Sequence, residues 1–160
     1  MATKKKKNYD DRDDFEKIQS QWTKLTGLHN RAEWSAAVIR AATAVELAAN
    51  VVIRSEFKAR GNFEPEFVNS LLKWANGLAG KIDKLILPLC RHDQQKHQEM
   101  KDFCKLPRDI NDERNDIAHR GIFCSGKKAK AIIQQCKTCV EGLLRPYQQD
   151  FSLKEPKDTE

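Results

Sequence analysis

Apolar residues along the chain recur at intervals of three and four, and this spacing predicts α-helices. The strongest pattern lies in residues 31–60, where six side chains would share one helix face: Trp34, Val38, Ala41, Val45, Ala48 and Val52. The opposite face of the same helical wheel carries Arg40, Thr43, Asn50 and Arg54. Glu46 lies at the boundary between the two faces, and Gly61 predicts the end of the helix.

Shorter stretches with the same spacing predict further helices on both sides of this long one. In chain order they cover residues 15–25 before a stop at Gly27, 65–74, 82–89, 107–119 before Gly121, and 127–144. The polar run 91–101 indicates a surface helix or an ordered loop. Runs of β-branched residues with a period of two are missing. The pattern therefore predicts an all-α fold, a bundle of about five to six helices.

The helical pattern forms one predicted domain, residues 13–150, between two polar ends. We expect both ends, a basic tail at 1–12 and residues 151–160, to be disordered. The apolar stretches are shorter than the roughly 20 residues that a membrane helix requires, so we expect no membrane partner. No apolar segment follows the lysines at 4–7, as a secretory signal would need. Five cysteines, an odd number, suit reduced thiols, and together these features favour a cytoplasmic protein.

The net charge of +6 is concentrated at the N-terminus. Four of these charges belong to the lysines at 4–7, which leaves +2 for the rest of the chain. A general attraction to nucleic acid cannot be inferred from such a total. The lysine run itself is either a solvated tail or a nucleic-acid contact.

One short segment, 113–121, combines ionisable side chains of both signs with an amide and a histidine. Histidine exchanges a proton near neutral pH, arginine matches phosphate oxygens with a forked donor, and asparagine orients either of them. The set Arg114, Asn115 and His119 is therefore sufficient for phosphodiester chemistry. In the alternative interpretation, Arg114 forms an ion pair with an acidic side chain and His119 stabilises the C-terminal end of a helix.

The order in this segment, an arginine, a polar residue, three further residues and a histidine, resembles the signature of HEPN domains. The resemblance covers residues 30–145, because HEPN domains are helical bundles with a long early helix and the motif in a late one. It implies a metal-independent endoribonuclease without a cofactor, active as a homodimer in which motifs from two subunits face one cleft. Families with this domain include toxins with a partner antitoxin, anti-phage defence proteins and RNA-processing enzymes, and some members only bind.

The resemblance also implies a role for each motif residue. His119 would be the general acid or base, Arg114 would bind the phosphate, and Asn115 would be the polar residue after the arginine. The ribose 2′-hydroxyl would attack the adjacent phosphorus and leave a 2′,3′-cyclic phosphate and a 5′-hydroxyl, so the substrate would be RNA.

Helix geometry separates two of these side chains. At 100° per residue Arg114 and His119 point about 140° apart, whereas Asn115 and His119 are about 40° apart. Either the helix ends or tightens before His119, or the arginine reaches around it, or a dimer completes the site. Asp112 lies on the Asn115 and His119 face and is a supporting acid or a surface residue, and Asp116 is a second supporting acid. Glu46 is a candidate partner for Arg114 or Arg40, or else a plain boundary glutamate.

Basic residues follow the motif closely, and we expect them to contact RNA phosphates: Arg120, Lys127, Lys128 and Lys130. Lysines are unfavourable in the first turn of a helix, so a solvated helix start explains this cluster only in part. Two other functions remain as alternatives. One is a non-catalytic helical module for RNA or nucleotide binding or for dimerisation. The other is a small metalloprotein, which we do not favour because Cys136 and Cys139 have the spacing of only half a zinc site.

Overall fold

In a computed structural model, residues 7–155 of the chain are described, and this part is an all-α helical bundle without strands. The helices are α1 (Asp14–Asn30), α2 (Trp34–Arg60), α3 (Pro65–Trp74), α4 (Gly77–Lys81), α5 (Leu87–Cys90), α6 (Gln94–Phe103), α7 (Lys105–Arg120) and α8 (Gly126–Leu144). A π-helical turn (Ile82–Ile86) joins α4 to α5. Six of the described helices have ten residues or more. The predicted all-α fold is confirmed.

Helix α2 is the centre of the bundle and packs against α1, α7 and α8. The predicted apolar stripe is buried except for Trp34, which is half-buried, and Val38, Val45 and Val52 are completely inaccessible to solvent. Burying one such side chain typically stabilises a fold by about 1.5–3 kcal/mol. By length and composition alone α2 is the one described helix that could cross a membrane, so the expectation that every apolar stretch is too short for a membrane helix is wrong. However, 61% of its apolar window is buried inside the bundle. The core helix of a globular domain is also long, apolar and mostly buried, so it passes the same test of length and composition.

The first helix is longer than the sequence predicts. Helix α1 starts at a capping box, in which Asp13 and Glu16 each accept a hydrogen bond from the other's backbone N–H. It then passes through Gly27 to Asn30, so the predicted stop at Gly27 is wrong. A glycine ends a helix when it takes the left-handed conformation, but here the first positive φ, 60°, belongs to Ala32.

Residues 151–155 pack against the bundle, and the predicted disorder of this part of the C-terminal tail is wrong. Leu153 is only 4% exposed, and the rings of Phe151 and Phe15 lie 5.4 Å apart. Lys154 and Gln19 exchange two hydrogen bonds, one in each direction, between the Gln19 amide and the Lys154 backbone. Two apolar side chains in a polar stretch are enough to hold this segment on α1. Residues 156–160 lie outside the described part of the chain.

The N-terminal segment also contacts α1 in the residues that the structure describes. The Gln21 amide donates to the Tyr9 hydroxyl at 2.8 Å, and Arg12 donates to Ser20 at 2.7 Å. The predicted disorder is therefore wrong for residues 7–12 of the basic tail. Residues 1–6 lie outside the described range, so of the lysines at 4–7 only Lys7 is described.

The loop between α7 and α8 is fixed to the start of α2. Gly121 ends α7 in the left-handed conformation with φ 63°, as the sequence predicts. The Cys124 backbone N–H donates to the Ser35 hydroxyl at 3.2 Å. At Gly126 a Cβ atom would lie 2.9 Å from the Trp34 ring, so only glycine allows α8 to start this close to α2. These contacts place the end of α7 at the N-terminal end of α2.

Candidate functional site

The motif occupies the last two turns of α7, which is a continuous α-helix to Arg120. Ile110 is fully buried and anchors the first half of this helix in the core. His119 is still part of the helix, and its side chain is exposed to solvent. The alternative in which the helix ends or tightens before His119 is therefore wrong.

Arg114 is half-buried and has an amide as its partner. Its Nη1 atom donates to Oδ1 of Asn115 at 3.1 Å, and no carboxylate of the described residues lies within ion-pair distance of it. The structure gives no hydrogen bond between Arg114 and His119, so the arginine does not reach around the helix. Five residues at 1.5 Å each separate the two by about 7.5 Å along the axis, on different sides.

The carboxylates beside Arg114 pair with other cations. Glu113 accepts from Lys128 at 2.8 Å, and Asp116 lies 3.2 Å from Arg120, one turn later on the same helix. Asp112, the third acid of this segment, is exposed and forms no ion pair within residues 7–155. Lys128 and Arg120 thus neutralise Glu113 and Asp116, and Arg114 is left without a carboxylate partner within residues 7–155.

Glu46 is paired with a cation that the sequence did not suggest. Its Oε1 atom lies 2.7 Å from Nζ of Lys81, which is buried at the end of α4. Arg40, the other expected partner, donates to the Gln21 amide at 3.1 Å. The predicted pairing of Glu46 with Arg114 or Arg40 is therefore wrong. The physical reason is that a buried ammonium group requires a counter-charge, and Glu46 supplies it across the bundle.

The expected phosphate-binding cations fall into two classes. Arg120 and Lys128 belong to the ion pairs just described, and the pKa of Lys128 is raised by its hydrogen bond with Glu113. Lys127 and Lys130 are exposed on α8 and form no ion pair in the part of the chain that the structure describes. These two lysines are the better placed pair for contacts with a phosphate backbone.

Two exposed apolar residues follow the motif directly. Ile122 is 45% exposed and Phe123 is 94% exposed, although large apolar side chains are usually buried. All residues from 118 to 123 are exposed, and we call this segment, which contains His119 and Phe123, the motif surface.

The cysteines belong to the core. Cys136 and Cys139 are fully buried on the inner face of α8, and burial raises the pKa of Cys136 to about 12. Zinc binds the thiolate form, which such burial disfavours. Within residues 7–155, no group of three or more histidine, cysteine or acidic side chains is placed to hold a metal ion.

One buried ionic cluster, centred on Glu56 of α2, was not predicted from the sequence. Glu56 is only 4% exposed and accepts hydrogen bonds from Arg60, Lys96 and the Tyr147 hydroxyl. The signal was present in the sequence, because Glu56 follows Val52 by four residues and so continues the apolar stripe of α2. Lys81 is a similar case, since it lies three residues after buried Leu78 on the inner side of α4.

Comparison of the chain with family models, curated proteins and solved structures finds no match. The resemblance to HEPN domains therefore depends on the motif of α7 and on the order of the helices.

Proposed function

We propose that this chain is a HEPN-type, metal-independent endoribonuclease that cleaves RNA as a homodimer. One observation carries the proposal. Arg114 is half-buried without a carboxylate partner, although Glu113 and Asp116 lie on either side of it in the sequence, and each of these two acids pairs with a different cation. A partly buried arginine without a carboxylate partner is suited to bind an anionic group, and a phosphodiester is the group that its fork fits best.

The chemistry assigns one step to each side chain. His119 is exposed and accepts the proton of the ribose 2′-hydroxyl. The bond between the 2′-oxygen and phosphorus forms, the bond to the 5′-oxygen breaks, and that oxygen takes a proton from solvent. Arg114 stabilises the negative charge that develops on the phosphorane. A placed histidine typically contributes about 10²–10⁴ in rate.

A second copy of the chain would bring an Arg114 and a His119 side chain to the same phosphate, which one helix alone does not do. Arg114 and His119 lie on different sides of α7, so Arg114 of one subunit would act with His119 of the other. Ile122 and Phe123 support this arrangement, because a contact between two copies beside the motif would bury both of these exposed side chains.

The first test is cleavage of total RNA and transfer RNA in excess EDTA. We expect His119→Ala and Arg114→Ala each to reduce cleavage by at least about a hundredfold, because each removes a group that acts on the reacting atoms. Arg91→Ala is the matched control, because Arg91 is an exposed arginine outside the motif. Circular dichroism would check that all variants are folded. Cleavage that survives His119→Ala would contradict the proposed mechanism.

The second test distinguishes a shared site from one site in each subunit. The two inactive variants are mixed, unfolded and refolded together, so that half of the dimers contain one chain of each kind. If Arg114 and His119 come from different subunits, one of the two sites in each mixed dimer is intact, and about a quarter of the wild-type activity returns. If each subunit supplies both residues, no activity returns.

The alternative is a non-catalytic module that binds RNA or a second copy through the motif surface. The exposure of Phe123 favours it as much as it favours the enzyme, since both need a contact there. RNA that stays intact in EDTA, combined with retained binding to that RNA, would select the module.

The resemblance further suggests a toxin or an anti-phage defence effector, with an antitoxin protein as a partner. Reduced thiols support a cytoplasmic location, because the described structure has five unpaired, buried cysteines. Co-expression toxicity that His119→Ala abolishes would support the toxin role.

A further inference from the structure

Two neighbouring cavities lie between α2 and α3, far from the motif surface. The first, which also reaches α4, has a volume of about 390 Å³ and a mostly polar lining: Asn50, Arg54, Asn69, Lys73, Asn76 and Lys81. The second has a volume of about 450 Å³ and is lined mainly by apolar side chains such as Phe57, Phe63 and Val68, with Lys58 and Asn62 among its polar lining residues. Arg54 and Asn69 line both cavities and hydrogen-bond to each other at 3.0 Å, so the two cavities adjoin at this pair.

Lys81 has hydrogen-bonding capacity that the described chain does not use. It is 5% exposed, and its ammonium group donates one hydrogen bond, to Glu46 at 2.7 Å. An ammonium group has three N–H donors. A buried donor without a partner is costly, so an acceptor in the polar cavity would complete the coordination of Lys81. Lys81 also comes directly before the π-helical turn, and such turns are frequent at functional sites.

The charges around the polar cavity select the charge of the ligand. Arg54 pairs with Asp14 at 2.6 Å, and Lys81 pairs with Glu46. Lys73 is exposed and forms no ion pair within the described range, so one positive charge remains. A phosphomonoester carries nearly two negative charges and would also face Glu46. One remaining cation fits a carboxylate better.

The second cavity supplies the apolar part of the site. Phe57 and Phe63 meet edge to face, with ring centres 5.3 Å apart, and Val68 closes the cavity from α3. The cavity is large enough for an aromatic ring. A ring of the ligand would pack edge to face against Phe57 or Phe63, as these two rings pack against each other.

We propose that the two cavities form one binding site for a carboxylate with an apolar, ring-sized group. The carboxylate would accept from Lys81 and Lys73 in the polar cavity, and the ring would lie against Phe57 and Phe63. The ligand is either a free aromatic acid or the C-terminus of a peptide that ends in an aromatic residue. The site does not depend on the ribonuclease proposal.

The experiment titrates the full-length chain with 3-phenylpropionate and follows backbone amide signals by NMR. We expect shifts at α3 and α4, at least a tenfold weaker affinity for the neutral amide, 3-phenylpropionamide, and a similar loss in Lys73→Met. Lys84→Met is the matched control, because Lys84 is exposed and lies over the Trp74 ring, outside both cavities. Lys81→Met removes the buried ammonium group, but Lys73→Met is the decisive variant since an exposed lysine can be replaced without affecting folding.

A second titration, with a short peptide that ends in phenylalanine, distinguishes the two sources of the carboxylate. Tighter binding of the peptide than of 3-phenylpropionate identifies a protein C-terminus, and weaker binding identifies a free acid. Equal affinity for acid and amide, or no shifts up to about 10 mM of either probe, would overturn the proposal. Binding of AMP in place of the carboxylates would overturn the assigned ligand class.

Discussion

Replacement of Glu56 by glutamine is expected to reduce the stability of the folded chain by about 3 kcal/mol at neutral pH. The carboxylate is buried at 4% exposure and joins three parts of the chain, α2, α6 and the turn after α8. Its oxygens lie 2.6 Å from Nη1 of Arg60 and 2.5 Å from Nζ of Lys96, and the Tyr147 hydroxyl donates a third hydrogen bond. Glutamine keeps the size of the side chain and removes the negative charge.

The magnitude follows from the pKa of Glu56. Burial alone would raise this pKa, but the hydrogen bonds from Arg60, Lys96 and Tyr147 outweigh burial and lower it from 4.5 to about 2. Each pKa unit corresponds to about 1.4 kcal/mol, so the charged form contributes about 3 kcal/mol. This value agrees with the roughly 3–5 kcal/mol that is typical when one partner of a buried ion pair is removed.

The lowered pKa of Glu56 also determines how the stability of the fold changes with pH. A carboxylate with a lowered pKa stabilises the fold fully above its unfolded value of 4.5 and loses that contribution as the pH falls through about 2. The difference between the wild-type chain and Glu56→Gln should therefore shrink from about 3 kcal/mol at pH 7 to below about 1 kcal/mol near pH 2.

The assay is urea unfolding monitored by circular dichroism, at a series of pH values between 7 and about 2. Glu66→Gln is the matched control, because Glu66 is exposed on α3 and forms no ion pair in the described part of the chain. It should change stability by less than about 0.5 kcal/mol. Equal stability of wild type and Glu56→Gln at pH 7, or a difference that stays constant down to pH 2, would refute the reasoning.

Two further predictions concern the motif surface and its lysines. Replacing Lys127 and Lys130 together by alanine should weaken RNA binding and reduce the slope of log K against log salt by about two. Lys128→Ala should change this slope less, because Glu113 already neutralises the charge of Lys128. Equal effects of the two variants on the slope in filter-binding titrations would contradict this division. Phe123→Asp should shift the chain toward the monomer in analytical ultracentrifugation and leave its helical circular dichroism spectrum unchanged, since the ring is 94% exposed within one chain. An unchanged dimer would show that the contact lies elsewhere.

Helix spacing predicted most of the fold because burial repeats along a helix with a fixed period. The long helix and its end at Gly61 required no knowledge of the rest of the chain. The stop at Gly27 failed because a glycine permits a helix to end without requiring it, and neighbouring contacts decide the outcome. The order of residues 151–155 depends on Leu153 and Phe151, two apolar side chains without a periodic pattern, and such contacts emerge only when the bundle is assembled.

For the candidate site, sequence reasoning identified the residue types and missed their partners. Spacing within one helix placed Arg114 and His119 on different sides of α7, which the regular helix supports. The partner of Glu46 is 35 positions away in the sequence, and no periodicity within α2 can identify Lys81 as that partner. Local geometry is encoded within one element, whereas ion pairs between elements depend on how the helices cross.

The length of α2 determines how the two proposals relate to each other. Ser35 and Trp34 hold the loop after the motif at one end of this helix, and Arg54 and Phe57 line the cavities near the other end. Nineteen residues from Ser35 to Arg54, at 1.5 Å each, correspond to about 28 Å. No ligand of the cavities can contact His119 of the same chain over that distance. Lys73→Met should therefore leave RNA cleavage unchanged and His119→Ala should leave carboxylate binding unchanged, so either proposal can fail without the other.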